Sequence, residues 1–122
     1  MKKAAGIITI IVVLVIILYT NGFILLGNNQ KAFNIAISCA DEFHDPASLR
    51  LLGGTLSVDK NSMWCKTSAN NRYGNETTSY YFFDGADGWI SSTDNYTWCK
   101  AQDEFNVALV NKALARYLKR YD

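Results

Sequence analysis

The sequence predicts an α+β fold: an N-terminal transmembrane helix, then a helix, a three- to four-stranded antiparallel meander and a C-terminal helix. Three observations carry it. Residues 4–27 hold no charge. Between Leu49 and Ser92, short apolar or alternating runs are separated by Gly, Asn and Asp pairs at hairpin spacing. On either side, residues 29–43 and 101–121 place apolar side chains at helical intervals. Helices packed on one face of an antiparallel sheet is the layering this order implies.

The uncharged segment comes first. Ile7 to Leu18 is apolar apart from Thr9, and Phe23-Ile24-Leu25-Leu26 follows the break at Tyr19-Thr20-Asn21-Gly22. Its 24 residues are enough, as a helix, for a hydrocarbon core of roughly 30 Å. A cleaved signal peptide would share the basic start at Lys2-Lys3, but Thr20-Asn21-Gly22 is a poor small-x-small cleavage site. The extension through Leu26 and the interfacial Tyr19 favour an uncleaved signal-anchor over residues 1–27. Lys2 and Lys3, against Lys31 alone after the span, place the N-terminus in the cytoplasm and residues 28–122 outside as one small domain.

Composition bounds that domain. Residues 28–122 hold 10 Lys/Arg and 11 Asp/Glu, so the strong basic excess of a nucleic-acid-binding domain is missing. The aromatic run Tyr80-Tyr81-Phe82-Phe83 and tryptophans 64, 89 and 98 argue for a packed core. Cysteines 39, 65 and 99 all follow the span, where thiols tend to oxidise. Cys65 and Cys99 share a frame, Asn61-Ser62-Met63-Trp64-Cys65-Lys66 and Asn95-Tyr96-Thr97-Trp98-Cys99-Lys100. A Cys65–Cys99 bond is the favoured pairing and Cys39–Cys99 the next, with roughly 3–4 kcal/mol of stabilisation expected from a loop of that length.

The domain reads in order as follows. Asn28-Asn29 can cap a helix whose stripe is Phe33, Ala36, Ile37 and Ala40, and Pro46 stops it. Leu49 to Val58 carries a Gly53-Gly54 break that suggests a bulge. Met63, Cys65, Thr67 and Ala69 alternate with Trp64, Lys66 and Ser68. Thr77 to Phe83 is the strongest strand, and Trp89 to Ser92 a short fourth. In the last helix Val107, Val110, Leu114, Tyr117, Leu118 and Tyr121 form one stripe. Phe105 and Leu109 lie off it, so this helix is expected to touch two surfaces.

The run Phe43-His44-Asp45-Pro46-Ala47-Ser48-Leu49-Arg50 and the run from Trp64 through Ala69-Asn70-Asn71-Arg72-Tyr73-Gly74 carry a resemblance. Together they are similar to a family of small exported or membrane-anchored bacterial domains, with a helix, Asp-Pro-x-Ser and a strand ending in Ala-x-Asn-x-x-Gly. The resemblance covers about residues 30–84. It implies a small α+β exported domain and brings no activity with it. Asn75 follows Gly74 where such members often have a second glycine. Both motifs make sense as structure, Asp45 and Ser48 turning the chain and Asn70–Gly74 forming a hairpin loop.

Candidate chemistry is sparse. His44, the single histidine, could meet Cys39 as a thiol–imidazole pair, but no orienting group is evident. The cysteines and His44 lack the close Cys-x2–4-Cys spacing of a zinc site, and no cofactor is expected. Asp84-Gly85-Ala86-Asp87-Gly88 reads as hairpin turns rather than a calcium loop. Asn75-Glu76-Thr77 and Asn95-Tyr96-Thr97 match the glycosylation pattern. Arg72 and Tyr73 in the loop, and Lys112, Arg116, Lys119 and Arg120 on the last helix, are the candidate binding surface. The expected function is a membrane-tethered extracytoplasmic binding module and not an enzyme, its partners the lipid bilayer and an envelope component or protein. The alternatives are a secreted domain after cleavage, or a pilin-like subunit, which lacks the glutamate expected five residues into the apolar stretch.

Overall fold

The computed structural model describes residues 2–94 and 103–121. The first helix is α1 (Lys2–Thr20); its residues 3–20 average a hydropathy of 2.4 and none of them is buried. Its internal hydroxyls are turned back onto its own backbone, Thr9 donating to the Ala5 carbonyl and Thr20 to that of Ile16, each at 2.9 Å. This spares the apolar surface two unpaired polar groups.

α1 stops at Gly22, whose φ of +75° a side chain would disfavour. Phe23 N–H reaches back to the Leu18 carbonyl at 2.8 Å and Gly22 N–H to that of Tyr19 at 3.1 Å. The two bonds form a Schellman cap. A second helix, α2 (Gly27–Cys39), then starts afresh and runs into a 3-10 turn, Ala40–Glu42. It is not continuous with α1 and ends short of the expected residue 43. Asn28 and Asn29 do not cap it, since Leu26 holds the cap position without a side-chain bond. Instead Asn28 donates to the Glu104 carbonyl at 3.2 Å, and Asn29 accepts from Asn106 N–H at 2.7 Å.

The strands are β1 (Arg50–Leu56), β2 (Ser62–Asn70), β3 (Glu76–Asp84), β4 (Trp89–Ser92) and the two-residue β5 (Asp103–Glu104), in spatial order β4-β3-β2-β1-β5. The first four form the antiparallel meander, with β5 added on the free edge of β1. The register shifts between Leu51 and Gly53, a bulge beside the Gly-Gly break that turns Leu52 out to solvent. Met63, Cys65, Thr67 and Ala69 of β2 are all buried, on the side that the helices cover. Phe83 and Tyr81 of β3 pair with Met63 and Cys65 and so share that face.

The third helix, α3 (Val107–Tyr117), continues as a 3-10 turn, Leu118–Tyr121. The expectation that it begins near Ala101 fails because Asp103 and Glu104 pair with Leu56 and Thr55 as strand. Asn106 is the cap, its side chain accepting Leu109 N–H at 3.1 Å. Two surfaces of α3 are used, as Leu109 predicts, but Phe105 precedes the helix and packs against the main core instead of the second surface. Val110, Leu114 and Leu118 join the main core with Ala32, Ile35, Leu51 and Phe83. Leu109 and Ala113 form a second, smaller core with Leu25. Asn111 fastens α3 to β1 at the bulge, accepting from Leu51 N–H at 2.8 Å and donating to Leu51 C=O at 2.6 Å.

The second core is also the joint between α1 and the domain. A Cβ on Gly22 would lie 2.9 Å from the Leu109 carbonyl oxygen and 3.0 Å from Lys112 Cβ. Gly27 is also left-handed, at φ +57°, but faces open space. Gly27→Ala is therefore expected to cost the left-handed strain alone, about 1–2 kcal/mol. Gly22→Ala should cost measurably more in unfolding of the detergent-solubilised chain. Equal losses would mean the close approach at Gly22 constrains nothing.

Candidate functional site

The two helices leave one end of the sheet's inner face uncovered, and a cleft of about 320 Å³ opens there. Its first wall is the chain leaving α2. Phe43 is buried, edge-on to Tyr81 at 5.6 Å and tilted against Phe83 at 5.9 Å. Pinning Phe43 inward leaves its neighbours Glu42 and His44 exposed, and both line the cleft.

The two short motifs meet at this wall. Ser48 Oγ donates to the Asp45 carbonyl at 2.7 Å and accepts from Asn70 N–H at 2.8 Å, while Asn70 Nδ2 reaches the Asp45 carboxylate at 3.3 Å. The Asp-Pro-x-Ser turn is thereby tied to the end of β2. In the following hairpin, Asn71 Oδ1 accepts the N–H groups of Tyr73 and Asn75, at 2.9 and 3.1 Å. Gly74 takes φ +79°. This Asx-type turn lifts Arg72 and Tyr73 to the tip, the guanidinium 5.0 Å from the Tyr73 ring centre.

The floor is the sheet. Thr67 Oγ1 donates to the Ser79 carbonyl at 3.4 Å and Thr77 Oγ1 to that of Ala69 at 3.1 Å. Tyr81 and Ile90 supply apolar surface beside them. The cleft thus offers a carboxylate, an imidazole and a guanidinium above a floor of hydroxyls and an aromatic ring. Its threonine hydroxyls donate to backbone carbonyls.

The six candidate surface residues fall in two places. Arg72 lines the cleft, with Tyr73 71% exposed beside it. Lys112 and Arg116 lie at the joint: Lys112 Nζ donates to the Thr20 carbonyl at 2.9 Å and Arg116 to that of Asn21 at 2.7 Å. Lys119 is exposed, and Arg120 lies over the Tyr117 ring at 4.3 Å. Sequence reasoning missed the cleft roles of Glu42 and His44. The one available signal was Thr67, a polar residue at an inward position of β2.

Cys39 and Cys65 are free and buried, so the suspected Cys65–Cys99 bond gains no support, and Cys99 lies outside the described residues. Cys39 Sγ donates toward the Asp84 and Trp89 carbonyls, each at 3.5 Å. His44 stands exposed on the cleft wall instead, so the two are not brought together. Among the described residues no three His, Cys, Asp or Glu side chains gather as a metal site. Asp84 Oδ1 accepts the N–H groups of Ala86 and Asp87, at 3.0 and 3.1 Å, an ordinary turn. The pattern at Asn75 lies in the exposed hairpin; that at Asn95 is outside the described residues.

With this geometry in view, comparison with protein-family models, with curated proteins and with solved structures gives no match.

Burial pushes both thiols above their ordinary value of 9.0, Cys65 most strongly, with the nearby Cys39 adding to the effect. The sign of the consequence is fixed. Above that value the unfolded chain sheds the proton while the folded chain keeps it, so stability is intact below pH 9 and falls as pH rises. For Cys65 the fall should approach about 1.4 kcal/mol per pH unit. Unfolding titrations above pH 9 should show a shallower slope in Cys65→Ala than in the parent chain. Identical slopes would show that Cys65 does not carry the effect.

Proposed function

We propose that the chain is a membrane-tethered extracytoplasmic binding module, with α1 as a single-pass anchor, the N-terminus cytoplasmic, and the cleft as its ligand site. The observation that carries the anchor is that none of residues 3–20 is buried within the chain. Ile8 and Ile10 are 62% and 61% exposed. Hydrocarbon would cover that surface, and a helix satisfies its own backbone there. The joint supports retention of the segment. A cut at Thr20-Asn21-Gly22 would remove the carbonyls that Lys112 and Arg116 hold and break the Schellman cap.

Binding, rather than catalysis, is what the cleft's chemistry favours. Its charged groups stand at the rim, and its two threonine hydroxyls donate to backbone carbonyls. An envelope component or a protein segment carrying both polar and apolar groups fits such a lining.

Two experiments test the reading. Tyr73→Cys places a thiol at the exposed hairpin tip, while the two described native thiols are buried. A membrane-impermeant maleimide should label this variant in intact cells well above the parent chain. Labelling that appears only after lysis would reverse the orientation. A photo-reactive residue at position 44 should give one discrete adduct on irradiation of intact cells, weakened several-fold by Arg72→Ala. An adduct insensitive to Arg72→Ala, or none at all, would remove the cleft as the ligand site.

A further inference from the structure

Four basic residues run as a stripe along α3 and the 3-10 turn that continues it: Lys112 and Arg116 at i and i+4 of the helix, then Lys119 and Arg120 in the turn. We infer that this stripe lies along the bilayer surface, where Lys119 and Arg120 hold the phosphates of anionic lipid headgroups. The inference rests on α1 being a membrane anchor.

Position is the first argument. Lys112 and Arg116 touch the carbonyls of Thr20 and Asn21, so the stripe begins at the level where α1 ends. The 19 residues of α1 rise about 28 Å, close to the hydrocarbon thickness of roughly 30 Å. Thr20 then sits at the boundary, and Lys119 is one helical turn further along, about 5 Å.

The surroundings are the second argument. Phe23 is 59% exposed with the Arg116 guanidinium 3.7 Å from its ring centre, and Leu26 is 64% exposed. With Tyr19, these make the mix of aromatic, aliphatic and basic groups that suits the water–lipid interface. Arg120 is held by stacking on Tyr117 and Tyr121, at 4.3 and 5.7 Å.

Charge is the third. From Phe105 to Tyr121 there is no carboxylate, with Asp122 following, and the chain's first is Asp41. Among the described residues, two carboxylates come near. Asp41 is engaged by the Tyr121 hydroxyl at 2.6 Å, and Glu104 lines a separate hollow with Tyr19 and Leu26. Neither belongs to the stripe, whose four basic side chains outnumber Asp122, the one acidic residue after Glu104, beside the exit of the helix. Anionic headgroups complement the stripe.

The test uses the full chain reconstituted in phosphatidylcholine vesicles containing spin-labelled phosphatidylglycerol or spin-labelled phosphatidylcholine. The motionally restricted fraction of each lipid is measured. Selectivity for phosphatidylglycerol is expected, falling about tenfold in Lys119→Glu/Arg120→Glu. Lys60→Glu/Lys66→Glu, an equal charge change away from the stripe, should leave it intact. No selectivity in the parent chain, or equal loss in both variants, overturns the inference. Carbonate extraction of the same vesicles separates the two readings. A chain released by carbonate ends the anchor and the stripe together, whereas a retained chain without selectivity ends the stripe alone.

Discussion

The domain depends on the register of β2. It is paired along its length with β3 and, through the bulge, with β1, and Met63 and Cys65 are wholly buried beneath the helices. A slip of one residue would send Trp64 and Lys66 inward and Met63 and Cys65 out. Tight packing holds the register. At Gly54, opposite Cys65, a Cβ would fall 2.7 Å from both Cys65 Sγ and the Phe105 ring, so strand, thiol and aromatic are already in contact across that point. The small faces of α2, built on Ala32, Ala36 and Cys39, approach the same layer.

Much of this was legible because it is periodic. The alternation from Met63 to Ala69 gave the buried face of β2, and the off-stripe Leu109 gave the second surface of α3. The Gly53-Gly54 pair marked a real break, whereas α2 ends at Cys39, well before Pro46, which opens a 3-10 turn of its own, Pro46–Ser48. The other misreadings share a cause: the residues involved satisfy a local rule but are claimed by distant partners. Asp103 and Glu104 suit a helix start by charge, yet the unpaired edge of β1 takes them as strand. Asn28 and Asn29 suit a cap, yet they bond Glu104 and Asn106. The cleft was the least legible feature. It draws on residues 42–44, 67–72 and 77–81, and only the sheet's pairing brings them together. His44 attracted attention as a partner for a thiol, whereas the burial of Phe43 decides where it points.

The charges on α3 show the same conflict more sharply. Arg116, Lys119 and Arg120 fit the end of their own helix, where positive charge offsets the dipole. In the fold, Lys112 and Arg116 complete the end of a different helix, bonding the last carbonyls of α1 from more than ninety positions away in sequence. A local pattern and a long-range task coincide in the same side chains. The glycine at the joint cannot be understood from α1 alone either, since the backbone of α3 stands where its Cβ would be.

That joint also limits reach. A flexible six-residue tether over positions 21–26 would let the domain wander by roughly 13 Å, sweeping its cleft through a volume above the anchor. Here the same six positions are spent on a cap, a glycine contact and a buried leucine. Whatever plane holds α1 therefore fixes the height and heading of the cleft as well. On the binding reading proposed above, such a domain gains little by searching outward. Its encounters are set by what travels in that plane or already stands at that height, and local concentration there counts for more than abundance in the surrounding fluid.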